Sequence, residues 1–155
     1  MTYVFDTNIF ITLFSNYYRD RFPSLWVLFD EMIDKERITS TREALREIED
    51  RNVGLFEWAQ NNQHIFTTPN AKEGAFVAKI YKVTHFQQNI ERQKILQGGK
   101  NADPFIIARA AVEGYSIVTT EIFKSDAAKV PNICKHFDIK CLNLENFMKA
   151  ENWKF

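Results

Sequence analysis

Short apolar runs alternate with amphipathic stretches along the chain, a pattern that predicts strands alternating with helices. Each predicted strand is a short run that is followed by polar residues or by a proline. They are predicted at 3–5, 37–39, 64–67, 116–119 and 139–142. Helices with an apolar stripe are expected between them, at 8–16, 23–35, 42–50, 55–61, 71–86, 104–113, 131–137 and 143–150. This alternation predicts an α/β sandwich built on a parallel sheet.

The segment from Ala71 to Lys100 is long for a connection in such a fold. Its first part has an apolar helical face, and its second part is mostly polar and ends in Gly98-Gly99-Lys100. We predict a single domain over residues 1–155, with this segment as a possible helical arm that clamps substrate or binds a partner.

Three carboxylates stand at the ends of predicted elements. Asp6 follows the run Tyr3-Val4-Phe5, Asp103 begins the helix that contains Pro104, and Glu121 follows the strand near Val118. The carboxyl ends of parallel strands form the ligand-binding edge of an open α/β sheet. Carboxylates brought together there repel one another unless protons or metal ions compensate, and hard divalent cations prefer oxygen ligands. The pattern favours a Mg²⁺ or Mn²⁺ site.

Each of these acids also has a simpler structural interpretation. Asp6 and Asp103 suit helix N-caps, and Glu121 suits a solvated loop. Glu43 completes a capping-box pattern that begins at Ser40, whereas Glu47, four residues later on the same face, has no such local role. Glu47 is therefore the better candidate for a site, although an exposed Glu beside arginines remains the alternative.

Composition restricts the possible functions. The chain has 155 residues, of which 45% are hydrophobic, so it can bury a core of its own. Lys plus Arg and Asp plus Glu number 20 each, which excludes a strongly basic general nucleic-acid binder. No apolar run could span a bilayer and no signal peptide is evident, so we expect no membrane association and a cytoplasmic location. The two cysteines are expected as free thiols.

Four blocks of the sequence together resemble the PIN domain, the nuclease fold of toxins in bacterial and archaeal toxin–antitoxin pairs. The blocks are Tyr3-Val4-Phe5-Asp6-Thr7-Asn8, the helix with Leu45-Arg46-Glu47-Ile48, Asp103 with Phe105-Ile106-Ile107-Ala108-Arg109-Ala110, and Ile117-Val118-Thr119-Thr120-Glu121. Their order and spacing fit across nearly the whole chain. The stretch Arg21-Phe22-Pro23-Ser24-Leu25-Trp26 and the end Asn152-Trp153-Lys154-Phe155 look like a branch of stand-alone PIN-like proteins of bacteria and archaea. One departure is Glu121, where many members have Asp.

The resemblance implies a three-layer α/β/α sandwich and a Mg²⁺- or Mn²⁺-dependent endoribonuclease, often a homodimer and the toxin partner of an antitoxin protein. It assigns Asp6, Glu47, Asp103 and Glu121 as catalytic metal ligands. Asn8 and Thr119 would orient carboxylates or bound water. Lys100, Arg109 and Lys124 are candidate contacts to the RNA substrate. The alternatives are a non-catalytic PIN-like binding module and a structure-specific DNA nuclease.

Overall fold

A five-stranded, all-parallel sheet forms the centre of the computed structural model, which describes residues 1–49, 51, 53–96 and 101–155. The strands are β1 (Tyr3–Phe5), β2 (Ile38–Thr41), β3 (Phe66–Thr67), β4 (Ser116–Val118) and β5 (Cys141–Leu142). The helices are α1 (Thr7–Asn16), α2 (Pro23–Asp34), α3 (Arg42–Ile48), α4 (Val53–Asn61), α5 (Ala71–Tyr81), α6 (Gln87–Leu96), α7 (Asp103–Glu113), α8 (Val130–His136) and α9 (Leu144–Ala150). Two 3-10 turns lie at Gln63–Ile65 and Thr84–Phe86.

Helices cover both faces of the sheet, as the predicted α/β/α sandwich requires. On one face, α7 packs against β1, β2 and β4, and α5 packs on α7. On the other, Tyr3 and Phe5 of β1 meet Phe147 of α9 edge-on, and Phe5 also contacts Phe10 of α1. Because side chains alternate along a strand, Val4 faces the α7 side. The fold class predicted from the sequence is confirmed.

An aromatic cluster fills the core beneath α1, α2 and α4. Its rings lie about 5–6 Å apart in tilted or edge-to-face pairs, the arrangement that aromatic quadrupoles favour. The cluster comprises Phe10, Phe14, Trp26, Phe29, Trp58 and Phe66. It anchors α1, and therefore the residues between β1 and α1, on a rigid base.

Local predictions for α3 and β3 are corrected. Thr41, not Ser40, caps α3, since its side chain accepts from the Ala44 N–H while the Ser40 hydroxyl donates to the Phe5 carbonyl. Helix α3 ends at Ile48, and Asp50 lies outside the described residues. The strand predicted to begin at His64 is a 3-10 turn followed by two strand residues.

The first part of the predicted arm packs against the core. Ile80 of α5 and Phe86 are buried in the core, and α5 lies along α7. Lys100 and the glycines before it lie outside the described residues, so a clamping or partner-binding role for that end stays a prediction. Both cysteines carry free thiols, as predicted: Cys134 is buried and Cys141 is half-buried. Within the described ranges, no helix combines the length and apolarity needed to cross a membrane.

Candidate acidic active site

The strand order places an opening for ligands between β1 and β4. The order is β3-β2-β1-β4-β5, so the chain builds the sheet outward from β1 in one direction and then in the other. In open α/β sheets, ligands bind outside the carboxyl ends of the strands at this point of reversal. Asp6 follows β1 there, and its N–H donates to the Val118 carbonyl at the end of β4 at 2.9 Å.

All four carboxylates predicted from the sequence line one cavity at this edge. The cavity has a volume of about 200 Å³. The lining acids come from four different parts of the chain: Asp6, Glu47, Asp103 and Glu121. Thr7, Asn8, Ile11 and Arg51 complete the wall.

Asp6 is held by hydrogen bonds to both carboxylate oxygens. Oδ1 accepts from the Thr7 N–H at 2.8 Å, so Asp6 also caps α1. Oδ2 accepts from the Thr119 hydroxyl at 2.8 Å and from the Asn8 amide at 3.2 Å. The Asn8 side-chain oxygen Oδ1 in turn accepts from the Thr120 N–H. Asn8 and Thr119 therefore contact the Asp6 carboxylate directly, as residues that orient it would.

Glu47 reaches the cavity from the buried face of α3. Its Oε1 accepts from the Thr7 hydroxyl at 2.7 Å, and its Oε2 accepts from the Ala102 N–H at 3.4 Å. Thr7 thus links Glu47 to the loop after β1. In the sequence, Thr7 stands out only as a neighbour of Asp6. Its contact with Glu47 could not be predicted, because the two residues are 40 positions apart.

Asp103 is the first residue of α7 and not its N-cap, which is Ala102. Because its carboxylate is not used for capping, it can face the cavity, where its Oδ2 accepts from the Asn89 amide at 2.9 Å. Asn89 is almost fully buried and also donates to the Ala128 carbonyl. Sequence reasoning missed Asn89, because it stands in a polar stretch of α6 with no pattern to distinguish it.

Glu121 has a structural contact as well as a place in the wall. Its Oε2 accepts from the Val130 N–H at 2.8 Å, which satisfies the first backbone donor of α8. Its own N–H donates to the Thr119 hydroxyl oxygen. These bonds fix the loop after β4 and leave Glu121 half-buried at the cavity.

Burial and mutual repulsion perturb the acids of the cavity. Burial raises the pKa of Asp6, and the charges of Glu121 and Glu47 raise it further against the hydrogen bond from Thr119. Burial also raises the pKa of Glu47 to about 7, with Asp103 adding to the effect and the Thr7 hydrogen bond opposing it. Asp6, Glu47 and Glu121 form no ion pair with any cation in the described part of the chain. The site thus concentrates negative charge that a cation would relieve.

The donor set suits a hard divalent cation. Every acid contributes carboxylate oxygens, and an oxygen that accepts one or two hydrogen bonds can still contact an ion. As the side chains stand, no three His, Cys, Asp or Glu groups among the described residues are close enough together to hold one ion. An ion at this site would therefore require the carboxylates to shift inward.

Of the three cations predicted to contact substrate, the two that the structure describes do not line this cavity. Arg109 pairs with Glu73 at 3.4 Å and donates to the Thr39 hydroxyl, on the α5 side of α7. Lys124 is exposed and lines a separate cavity with Ala128. Lys100 lies outside the described residues. Among the residues that the structure describes, Arg51 is the cation that lines the acidic cavity.

A family model described as "Domain of unknown function (DUF4411)" matches residues 3–155. The chain belongs to this family. No curated protein matches this DUF4411 chain in sequence. Among solved structures, the chain is similar to one in the crystal structure of VapBC2 from Rickettsia felis bound to a DNA fragment from their promoter. The identity is 17% and the TM-score is 0.49, over 92% of this chain and 98% of that one.

Proposed function

We propose that this protein is a Mg²⁺- or Mn²⁺-dependent endoribonuclease. The supporting observation is the convergence of Asp6, Glu47, Asp103 and Glu121 on one cavity at the point where the strand order reverses. Buried like charges are costly to maintain without a cationic ligand. The sequence likeness to PIN nucleases agrees with this chemistry.

In this proposal, the four carboxylates hold one or two divalent ions. When bound, such ions lower the pKa of water and stabilise the leaving oxygen of a phosphodiester. Thr119 and Asn8 keep the Asp6 carboxylate in one orientation, and Thr7 does the same for Glu47. Asn89 positions Asp103. A misplaced carboxylate would cost activity even where the ligand set is complete.

The biological setting is proposed from the PIN resemblance. It comprises RNA as substrate, an antitoxin protein as partner, a homodimer and a cytoplasmic location. Lys124 and Lys100 remain proposed RNA contacts. Arg109 is the weakest of the three, because Glu73 and Thr39 already bind its guanidinium group.

A non-catalytic binding module is the second candidate. Two observations favour it: the carboxylates in the described structure are not arranged around one ion, and Glu121 is bonded to the Val130 N–H. This candidate predicts a folded protein that binds nucleic acid without cutting it.

The deciding experiment is a cleavage assay on labelled single-stranded RNA and on single-stranded and flap DNA. Purified protein with Mn²⁺ should cut RNA, and EDTA or the Asp6→Asn substitution should abolish the cutting. Circular dichroism should show that the Asp6→Asn variant is folded. Cleavage of DNA alone would indicate the DNA nuclease, and folded wild-type protein that cuts neither would support the binding module.

A further inference from the structure

A second, larger cavity lies beside the acidic one and takes no part in the chemistry above. Its volume is about 520 Å³, and residues of α3, α5, α6 and α7 line it. This size suits a small organic group. Because Arg46 and Pro104 line it while their neighbours Glu47 and Asp103 line the acidic cavity, the two cavities share the walls formed by α3 and α7.

Two buried polar atoms at this cavity lack partners. Glu43 is 9% exposed; its Oε1 pairs with the Arg42 Nη2 at 3.1 Å, but its Oε2 accepts no hydrogen bond in the described structure. The Nε of Arg42 is likewise buried and donates none. Buried unsatisfied polar groups are costly and uncommon. Since Thr41 caps α3, Glu43 has no capping role to explain its burial.

The remaining walls are suited to a flat ring. Tyr81 and Phe105 contribute aromatic side chains, and Val77 and Ile90 contribute apolar ones. Arg46 adds a second guanidinium group. A cavity lined by aromatic and apolar side chains, by an arginine and by a carboxylate with an unpartnered oxygen has the groups with which proteins bind an unstacked nucleobase.

We propose that this cavity binds a guanine base of single-stranded RNA. Guanine presents two adjacent donors, N1–H and N2–H, to a carboxylate, and its O6 accepts from an arginine. The Glu43 carboxylate and the Arg42 guanidinium, on adjacent residues that line the cavity, offer these complements. Adenine and cytosine each present one exocyclic amino group with no ring N–H beside it, and uracil presents a single N–H. They would satisfy Glu43 less completely.

This inference rests on the proposed nuclease function, and contacts within the protein connect the two cavities. Glu43 and Glu47 stand four residues apart on α3, so one helix presents an acid to each cavity. The Asn101 amide donates to the Tyr81 hydroxyl at 3.4 Å and to Asn89 at 3.0 Å, and Asn89 donates to Asp103. A bound base would therefore place the adjoining phosphodiester near the carboxylates.

The test measures binding without cleavage. Fluorescence anisotropy with Asp6→Asn protein in EDTA should compare labelled oligouridine carrying one central guanosine with the same oligomer carrying adenosine. We expect the guanosine oligomer to bind about tenfold or more tightly, as for a good bidentate base contact. Glu43→Gln in the same protein should abolish that preference, whereas the exposed Glu57→Gln should retain it.

A second variant protects the test against misfolding. If Glu43→Gln lowers the melting temperature too far to be assayed, Arg42→Ala carries the comparison and should also abolish the preference. An arginine that contacted only phosphate would instead weaken both oligomers equally. Equal binding of the two oligomers, or a preference unaffected by both substitutions, would overturn the proposal.

The outcome is separable from that of the nuclease assay. A guanosine preference that depends on Glu43, found in a protein that cuts no RNA, would support the base site and refute the nuclease. RNA cleavage without any guanosine preference would refute the base site alone.

Discussion

Buried carboxylates occur in two regions of this molecule, and the two regions differ in whether a cation pairs with the acid. Glu73, 1% exposed on α5, is paired with Arg109, whose side chain is itself only 15% exposed. At the sheet edge, Asp6 and Glu47 are nearly as buried, yet no cation of the described structure pairs with them, and further acids lie nearby. This contrast, in which arginine compensates one buried acid while the others lack a cationic partner among the described residues, is what the proposed metal site predicts.

The pKa shifts express the same contrast. Burial raises the pKa of Glu73, but the charge of Arg109 opposes that rise. Burial raises the pKa of Glu47 to about 7, and there the neighbouring charge of Asp103 adds to the rise. Glu73 therefore has a charged partner supplied by the protein, whereas Glu47 has mainly the Thr7 hydroxyl and the distant charge of Arg51.

The largest expected difference between the two groups is in catalysis. Glu47→Gln should lower metal-dependent RNA cleavage by about 100-fold or more, because replacing a ligand costs at least as much as replacing a residue that positions one. Glu73→Gln should leave the rate close to that of wild type. Single-turnover rates below the melting temperature of both variants measure this. Equal losses in the two would mean that Glu47 acts only through the fold.

For the free energy of unfolding, the larger expected loss lies at the Glu73–Arg109 pair and not at the sheet edge. Arg109→Ala leaves Glu73 buried without its cation, and breaking a buried pair in this way costs about 3 kcal/mol. Chemical denaturation measures the loss. Lys35→Ala, which breaks the exposed pair with Glu31, should leave the free energy of unfolding nearly unchanged.

Adding Glu73→Gln to Arg109→Ala should recover part of the stability, because the remaining buried charge is removed. If Arg109→Ala were no more harmful than Lys35→Ala, Glu73 would not be compensated by Arg109, and the contrast between the two groups would fail.

The pH dependence of stability should distinguish Glu47 directly in metal-free buffer. Its folded pKa of about 7 lies above the usual unfolded value of about 4.3, so the folded state holds the proton more tightly. The stabilisation that protonated Glu47 adds to the free energy of unfolding is fully present below pH 4. It is lost as the pH rises to 7, at about 1.4 kcal/mol per pH unit.

Glu47→Gln removes this titration and should make the fall in stability between pH 4 and 7 shallower, although Asp6, whose pKa is raised to about 7, still titrates in this range. When the free energy of unfolding of each protein is measured from its own value at low pH, that of Glu47→Gln should be higher than that of wild type by roughly 3 kcal/mol at pH 8. Denaturation midpoints across this range measure the slopes, with Glu57→Gln as the exposed control. Parallel slopes for wild type and Glu47→Gln would contradict the raised pKa.

Local patterns in the sequence predicted the fold class and put Asp6, Asp103 and Glu121 at the ends of elements, whereas the assignment of all four acids, with Glu47, to one site came from the resemblance to PIN domains. Asp6 follows a buried run, and Asp103 precedes a proline at the start of a helix. Gly114 ends α7 in the left-handed conformation, as its position after Glu113 suggested. A carboxylate at the end of each such element needs only the parallel topology to reach the same edge.

Contacts that depend on tertiary packing could not be predicted. Asn89 and Asp103 are 14 residues apart, and only the tertiary fold brings the Asn89 amide within hydrogen-bonding distance of the Asp103 carboxylate. Arg109 has the sequence context of a residue near the acidic edge, but a helix turns by 100° per residue, so a position six residues beyond Asp103 faces α5 instead. Side-chain direction, more than sequence neighbourhood, determines which charges meet.

The smallest expected effect is stabilisation by the metal itself. An ion that binds only the folded protein adds about 1.4 kcal/mol at ten times its dissociation constant, so millimolar Mn²⁺ should raise the melting temperature of wild type by a few degrees. Because protons compete for the same carboxylates, the rise should be larger at pH 8 than at pH 6. Asp6→Asn and Glu47→Gln should reduce it, and Glu73→Gln should not, since that acid already has a cation. A rise of equal size in all four proteins would place Mn²⁺ binding elsewhere on the surface and remove the uncompensated acids as its cause.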